Sequence, residues 1–239
     1  EILRGLSIDV MPGETLVLLG KSGGGKSVFL RHLIGLMRPI SGSIVFENEE
    51  ITHLTERKLE PVRKKIGMLF QDGALFDSMN VFDNVAFPLR ESGERNPKII
   101  REKVAESLAM VNMTGHDHKM PVNLSGGMRK RVGLARAIIY QPQILLYDEP
   151  TSELDPVMSA TISEVIATLR EQYHVTSIVV SHDRDLALGI ADRVGILMGG
   201  RLVSLGPPAD LRAPSDPRVA DFLNPSIDLR NPRFRRLAG

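Results

Sequence analysis

The 239-residue sequence predicts an α/β fold with a mostly parallel sheet and an inserted helical lobe. Three observations predict it. Short β-rich runs alternate with helical patterns along most of the chain. Several of those runs, such as Ile144-Leu145-Leu146-Tyr147, are apolar without a break, as strands covered on both faces are. A glycine-rich segment, residues 20–27, joins one apolar run directly to a helical pattern.

Taken in order, Leu6–Val10 alternates and reads as a strand, and Thr15–Leu19 as a buried one. A helix follows over Lys26–Leu36. Ser43–Phe46 and Ile66–Phe70 read as strands. Between them, Glu56–Lys65 holds five basic and two acidic residues and reads as a solvated face. From Asp72 to Asn123 strand-like runs are few, glycine and proline breaks are frequent, and one amphipathic helix stands out, Pro97–Met110. This stretch and the helix Gly126–Tyr140 form the lobe, residues 72–140. The α/β pattern then resumes with strand Ile144–Asp148, helix Val157–Glu171, strand Thr176–Val180, helix Arg184–Ile190 and strand Val194–Leu197. Residues 1–223 are expected to form one domain. Residues 224–239 form a tail with four arginines against one aspartate, either a solvated extension or an arm for a partner subunit or lipid headgroups.

Composition narrows the chemistry. The chain has no cysteine, which excludes disulfides, thiolate metal sites and a cysteine nucleophile. Thirty basic against 29 acidic side chains leave a net charge of +1, no sign of a protein that coats nucleic acid. Apolar runs stop far short of the roughly 18 residues a spanning helix needs. No secretory leader is legible in a sequence that opens at Glu1.

Gly20-Lys21-Ser22-Gly23-Gly24-Gly25-Lys26-Ser27 has the G-x-x-x-x-G-K-[ST] spacing, after a strand and before a helix. Glycines let the backbone wrap a polyphosphate with its N–H groups inward, and the helix presents its positive end. Lys26 supplies a point charge to the β- and γ-phosphates, and the Ser27 hydroxyl is a hard ligand for Mg²⁺. A second buried-strand pattern ends in Asp148-Glu149-Pro150. A strand tip beside the phosphate loop lets Asp148 reach the metal's water shell, and Glu149, where the chain turns, is the candidate general base for an attacking water. Leu124-Ser125-Gly126-Gly127-Met128 opens an amphipathic helix, with Ser125 as N-cap and glycines that leave N–H groups open. Alone it reads as a capped helix start. His182 alone reads equally as a strand-end histidine. His116 and His118 flank Asp117 without further ligands nearby and read as loop residues.

Together these segments resemble the ATP-binding domain of ABC transporters. The phosphate loop, Gln71 after strand Ile66–Phe70, Leu124–Met128, Asp148-Glu149, Ser152-Glu153-Leu154-Asp155 and His182 come in that family's order, over nearly the whole chain to about Leu223. The resemblance implies a P-loop ATPase using ATP and Mg²⁺, with an antiparallel β part near the N-terminus of its mostly parallel core. Gln71 would bind the metal or the attacking water and report nucleotide state to the lobe. His182 would contact the γ-phosphate and hold the geometry with Glu149. Ser125, Gly126 and Gly127 would reach across a head-to-tail dimer to the γ-phosphate held by Lys26 of a second copy, with Asp155 lining the seam. A separate membrane permease would dock near Gln71 and Asp72–Val85, placing the chain at the cytoplasmic face of the inner membrane.

Two departures are informative. Val28 stands where a second hydroxyl is usual, and Met128 where the signature usually has Gln. Both, with Gln71–Phe76 and Met79–Val85, are similar to the ATPases of Mla/Mce-type phospholipid transporters, which implies phospholipid as cargo and a lipid-binding MCE-type protein in the complex. The family's adenine-stacking aromatic normally lies upstream of residue 1. Open alternatives are an amino-acid or ion importer ATPase, with the same catalytic residues, and a soluble ABC protein, which usually shows long heptads or paired domains. A P-loop kinase would leave Ser125–Gly127 and His182 without a role.

Overall fold

The computed structural model describes residues 2–224; the arginine-bearing tail, apart from Asn224, lies outside them. The main sheet holds β1 (Thr15–Gly20), β4 (Ile66–Leu69), β5 (Ile144–Asp148), β6 (Thr176–Ser181), β7 (Arg193–Met198) and β8 (Arg201–Gly206), in the order β4-β5-β6-β1-β7-β8. Every pairing is parallel except β7 with β8. The expected antiparallel part is the pair β2 (Val45–Phe46) and β3 (Glu49–Glu50). β1 and β6 are buried at every position, around the apolar runs Leu16–Leu19 and Ile178–Val180, as central strands covered on both faces are.

Parallel strands need crossovers, and the helices supply them. α1 (Lys26–Leu33), α5 (Gly126–Ile138), α6 (Pro156–Tyr173) and α7 (Arg184–Ile190) fall close to the expected ranges, and α4 (Pro97–Met110) matches its own. α3 (Val81–Glu91) precedes α4, so the region after Asp72 holds a further helix that the sequence reading missed. One apolar cluster joins Val81, Val85 and Leu108 of these helices to Val132 and Leu134 of α5 and to Leu69 and Tyr147 of the sheet. A second, with Leu16, Leu18, Phe29, Leu30, Leu146 and Ile178, seals α1 to the opposite face.

Several expectations are corrected. Leu6–Val10 keeps its alternation, with Leu6, Ile8 and Val10 packed inward, but no strand lies alongside and it carries no ladder among the described residues. Glu56–Lys65 is not only a solvated face: Glu56–Lys64 is a helix, α2, and buries Leu59 and Val62 against Ile51. Charge density and the internal Pro61 hid that two-residue stripe. β8 follows a turn at Gly199-Gly200, both at positive φ, a glycine pair that is itself a hairpin signal. α8 (Pro217–Leu223) starts with an Asp216 cap and proline in its first turn, also readable beforehand. Among the described residues no helix is long and apolar enough to cross a membrane.

Candidate functional site

Because β4, β5, β6 and β1 are parallel, their C-terminal ends meet at one edge of the sheet. Gln71 follows β4, Asp148 and Glu149 end β5, His182 follows β6, and residues 20–27 follow β1. Open parallel sheets place ligands at that edge. The strand bearing Asp148 is not paired with β1, because β6 intervenes, yet its tip lies beside the phosphate loop as expected. The gap is bridged by α1, which packs across β5 and β6 and brings Ser27 to Asp148.

The phosphate loop is shaped by backbone constraint. Gly23 and Gly25 sit at φ of 77° and 97°, where a side chain is strained. A Cβ at Gly24 would stand 2.9 Å from the Lys21 carbonyl oxygen. Gly25 caps α1 without a side chain, leaving the first-turn N–H groups for an anion. Lys26, 5% exposed, donates through Nζ to the carbonyls of Gly20 (2.6 Å) and Lys21 (3.1 Å). The same ammonium lies 3.1 Å from Glu149 Oε1. Ser27 Oγ donates to Asp148 Oδ1 at 2.8 Å.

Glu149 is gripped at both ends. Its N–H donates to the Val180 carbonyl at 2.9 Å, and its backbone stands at φ 49°. Oε2 lies 2.8 Å from His182 Nδ1 and accepts from the His182 N–H at 3.3 Å and from Ser181 Oγ at 3.4 Å. The carboxylate therefore bridges an ammonium and an imidazole. Burial pushes the Asp148 carboxyl up, as does the neighbouring Glu149 charge, while the Ser27 hydrogen bond and the Arg31 and Lys26 charges pull it down. Ser22–Val28, Gln71, Glu149, Ser152 and His182, with Ile2, line one cavity of about 300 Å³. The oxygens of Ser27, Asp148 and Gln71 are hard donors of the kind Mg²⁺ takes.

Other predicted residues lie elsewhere. Ser125 is exposed and caps α5 by accepting from the Met128 N–H at 3.3 Å. A Cβ at Gly127 would stand 3.1 Å from Met158 Sδ, and one at Gly126 would stand 3.4 Å from Leu154 Cδ2. Asp155 is exposed and caps α6. None of these four residues lines the cavity of their own chain. His118 Nδ1 is 3.8 Å from Asp117, and no group of three or more His, Cys, Asp or Glu residues fit for a metal occurs among the described residues.

Sequence reasoning missed the residues that hold the site's frame. Lys130, 5% exposed on α5, donates to the Ser152 carbonyl (2.6 Å), Ser152 Oγ (3.1 Å) and the Glu149 carbonyl (3.2 Å). Arg136 Nη2 donates to the Gly73 carbonyl at 3.0 Å, pinning the loop after Gln71 to the same helix. Asn84, fully buried, accepts from the Phe76 N–H at 2.8 Å and donates to carbonyls of Phe76, Met79 and Asn80. Of these, Asn84 alone carried an advance signal, a polar residue on an otherwise apolar helix face.

Comparison with known proteins identifies the family and the fold. The family profile described as ABC transporter matches residues 3–152. The chain is 46% identical over 224 residues to the probable ribonucleotide transport ATP-binding protein mkl of Mycobacterium leprae (strain TN), covering 94% of this chain and 65% of that protein. It is 40% identical to the intermembrane phospholipid transport system ATP-binding protein MlaF of Escherichia coli (strain K12), over 100% of this chain and 88% of that protein. Among solved structures, the dimeric post-hydrolysis state of the ATP-binding cassette MJ0796 bound to ADP and Pi superposes with a TM-score of 0.80 at 29% identity, covering 87% of this chain and 90% of that one.

Proposed function

This chain belongs to the ABC transporter ATPases, and from that premise we propose that it hydrolyses ATP between two copies of itself to drive a separate phospholipid permease. The carrying observation is the Glu149 carboxylate, which bridges Lys26 and His182 inside the phosphate-loop cavity.

Each role follows from position. The N–H groups of residues 22–27 and the Lys26 ammonium bind the β- and γ-phosphates, and phosphate oxygens compete with Glu149 Oε1 for that ammonium. Glu149 takes a proton from the water that attacks the γ-phosphorus; the bond to the ADP oxygen breaks and the proton passes on with the released phosphate. His182 holds Oε2 so that the carboxylate stays aimed. Ser27, Asp148 and Gln71 would hold Mg²⁺, which when bound neutralises charge on the phosphate oxygens. Ser125 and Gly127 of one copy complete the other copy's site, and Asp155 lines the seam. Replacing Glu149 with Gln tests the assignment: turnover should fall by at least about 100-fold with ATP binding intact.

The permease meets the lobe, residues 72–140. A concavity of about 380 Å³ between α3 and α4 adjoins the segment expected to dock it, lined by Phe82, Arg90, Arg95, Ile100 and Arg101 among others. Its arginines suit an acidic docking segment. The chain then works at the cytoplasmic face of the membrane. The phospholipid assignment leans on the MlaF likeness, which spans 88% of that protein, against 65% for the mycobacterial protein named for ribonucleotides. Mass spectrometry of the native complex in mild detergent separates the two. A permease with an MCE-type protein and bound phospholipid supports lipid transport; a nucleotide-specific receptor without enriched lipid supports the other cargo.

A further inference from the structure

The signature segment Ser125–Gly127 and the general base Glu149 sit in different places on one chain, yet a single side chain joins them. We infer that Lys130 is a positioning residue that ties the helix begun at Ser125 to the backbone of Glu149, so that engagement of that helix start is felt at the base of the same copy. The inference rests on the roles proposed above for Ser125 and Glu149.

A lysine is among the residues least often buried, and hiding its ammonium is costly unless oxygens replace its water. Here they do: Nζ lies within 3.2 Å of the Glu149 carbonyl, the Ser152 carbonyl and Ser152 Oγ. Ser152 Oγ also donates to the Glu149 carbonyl at 2.9 Å, so Lys130 and Ser152 together close over that one oxygen. The segment they hold is under strain. Glu149 at φ 49° and Glu153 at φ 62° are both left-handed and neither is glycine. Such conformations persist only where the surroundings fix them. Glu149's N–H is fixed by β6 through Val180. Its carbonyl accepts from Ser152, within the same turn, and from Lys130, which also holds Ser152 from another element. A shift of α5 therefore turns the peptide after Glu149 and re-aims its carboxylate.

The helix is suited to carry that shift. Lys130 stands little more than one turn beyond the Ser125 cap, so the two move together. The same helix approaches the loop after Gln71: a Cβ at Gly133 would stand 2.7 Å from the Gly73 oxygen, and Arg136 holds that oxygen from the side. α5 thus touches an exposed signature start, the general base and the Gln71 loop.

The test is a set of full-chain variants: Lys130→Met, Lys130→Arg, Ser125→Ala, Glu149→Gln and the Ser125→Ala/Lys130→Met pair. Steady-state ATP turnover and binding of a fluorescent ATP analogue are read for each. Lys130→Met should lower kcat by about 10- to 100-fold, the scale of a small misplacement of a reacting group. Nucleotide affinity should stay within about threefold, and Lys130→Arg, which keeps donors and charge, should recover most of kcat. If Lys130 acts through α5 on the step Ser125 serves, the double variant falls no further than its worse parent. Unchanged kcat in Lys130→Met, an equal loss of kcat and affinity, no rescue by arginine, or multiplying losses in the double variant would each overturn the inference. Near-normal turnover in Glu149→Gln would instead remove the general-base reading beneath it.

Discussion

The two glycine-rich helix starts proposed to bind phosphate are finished differently. At the start of α1, Lys26 and Ser27 already hold carbonyls, Glu149 and Asp148 at hydrogen-bonding distance, inside a cavity. At the start of α5, Ser125 is exposed and bonds only its own helix, and the glycines after it back onto Leu154 and Met158. The first is a site with its chemistry in place. The second is a capped helix end facing outward, and the proposed head-to-tail dimer gives it a ligand. On the proposed pairing, one chain holds both halves of a catalytic site without letting them meet.

Breaking the first half should cost most. Lys26→Ala removes the phosphate counter-charge and the ammonium that pairs with Glu149 Oε1; nucleotide binding, followed by a fluorescent analogue, should be lost outright. Glu149→Gln comes next, with binding retained and turnover down at least about 100-fold. Breaking the second half should leave the monomer's affinity alone: Ser125→Ala should reduce turnover while the dilute chain binds ATP as before. A fall in monomer affinity would contradict the division between the two regions.

Smaller effects sharpen the frame around them. Asn84→Leu strands the backbone groups of Phe76, Met79 and Asn80 and should destabilise the chain by about 1–3 kcal/mol in chemical denaturation, loosening the segment assigned to the permease. The smallest effect lies at α8. Asp216 is held at about 2 by its hydrogen bonds with Arg218, below the usual value of about 3.9. A carboxyl depressed on folding stabilises above its unfolded value and loses that contribution as pH falls through the folded one. Asp216→Asn should thus lower Tm slightly at pH 7, with the difference shrinking below about pH 4 and gone only well below pH 2.

What could be read from the sequence follows from how local each signal is. The phosphate loop, the Asp148-Glu149 strand end and the Ser125 cap are written in adjacent residues, and their secondary structure came out where those residues placed it. Lys130 was not legible, since its acceptors lie 19 and 22 positions away and only the packing of α5 brings them together. Leu6–Val10 shows the converse: it has the alternation of a strand, but a ladder also needs a neighbour, which no local pattern can promise. β8 and α8 carried local signals, the Gly199-Gly200 turn and the Asp216-Pro217 start, that outweighed their modest apolar content. The placement of β6 between β5 and β1 is topological, and it makes α1, rather than strand adjacency, the link between Ser27 and Asp148.

The central claim, that the two halves meet only between copies, is tested most directly by complementation in the Glu149→Gln background. One chain would also carry Lys26→Ala and the other Ser125→Glu, and sedimentation velocity would follow each with ATP, alone and mixed. Head-to-tail pairing predicts that neither dimerises alone and that the mixture does, because one site in the mixed pair keeps both Lys26 and Ser125. A mixture that stays monomeric, while the Glu149→Gln parent dimerises, would contradict it.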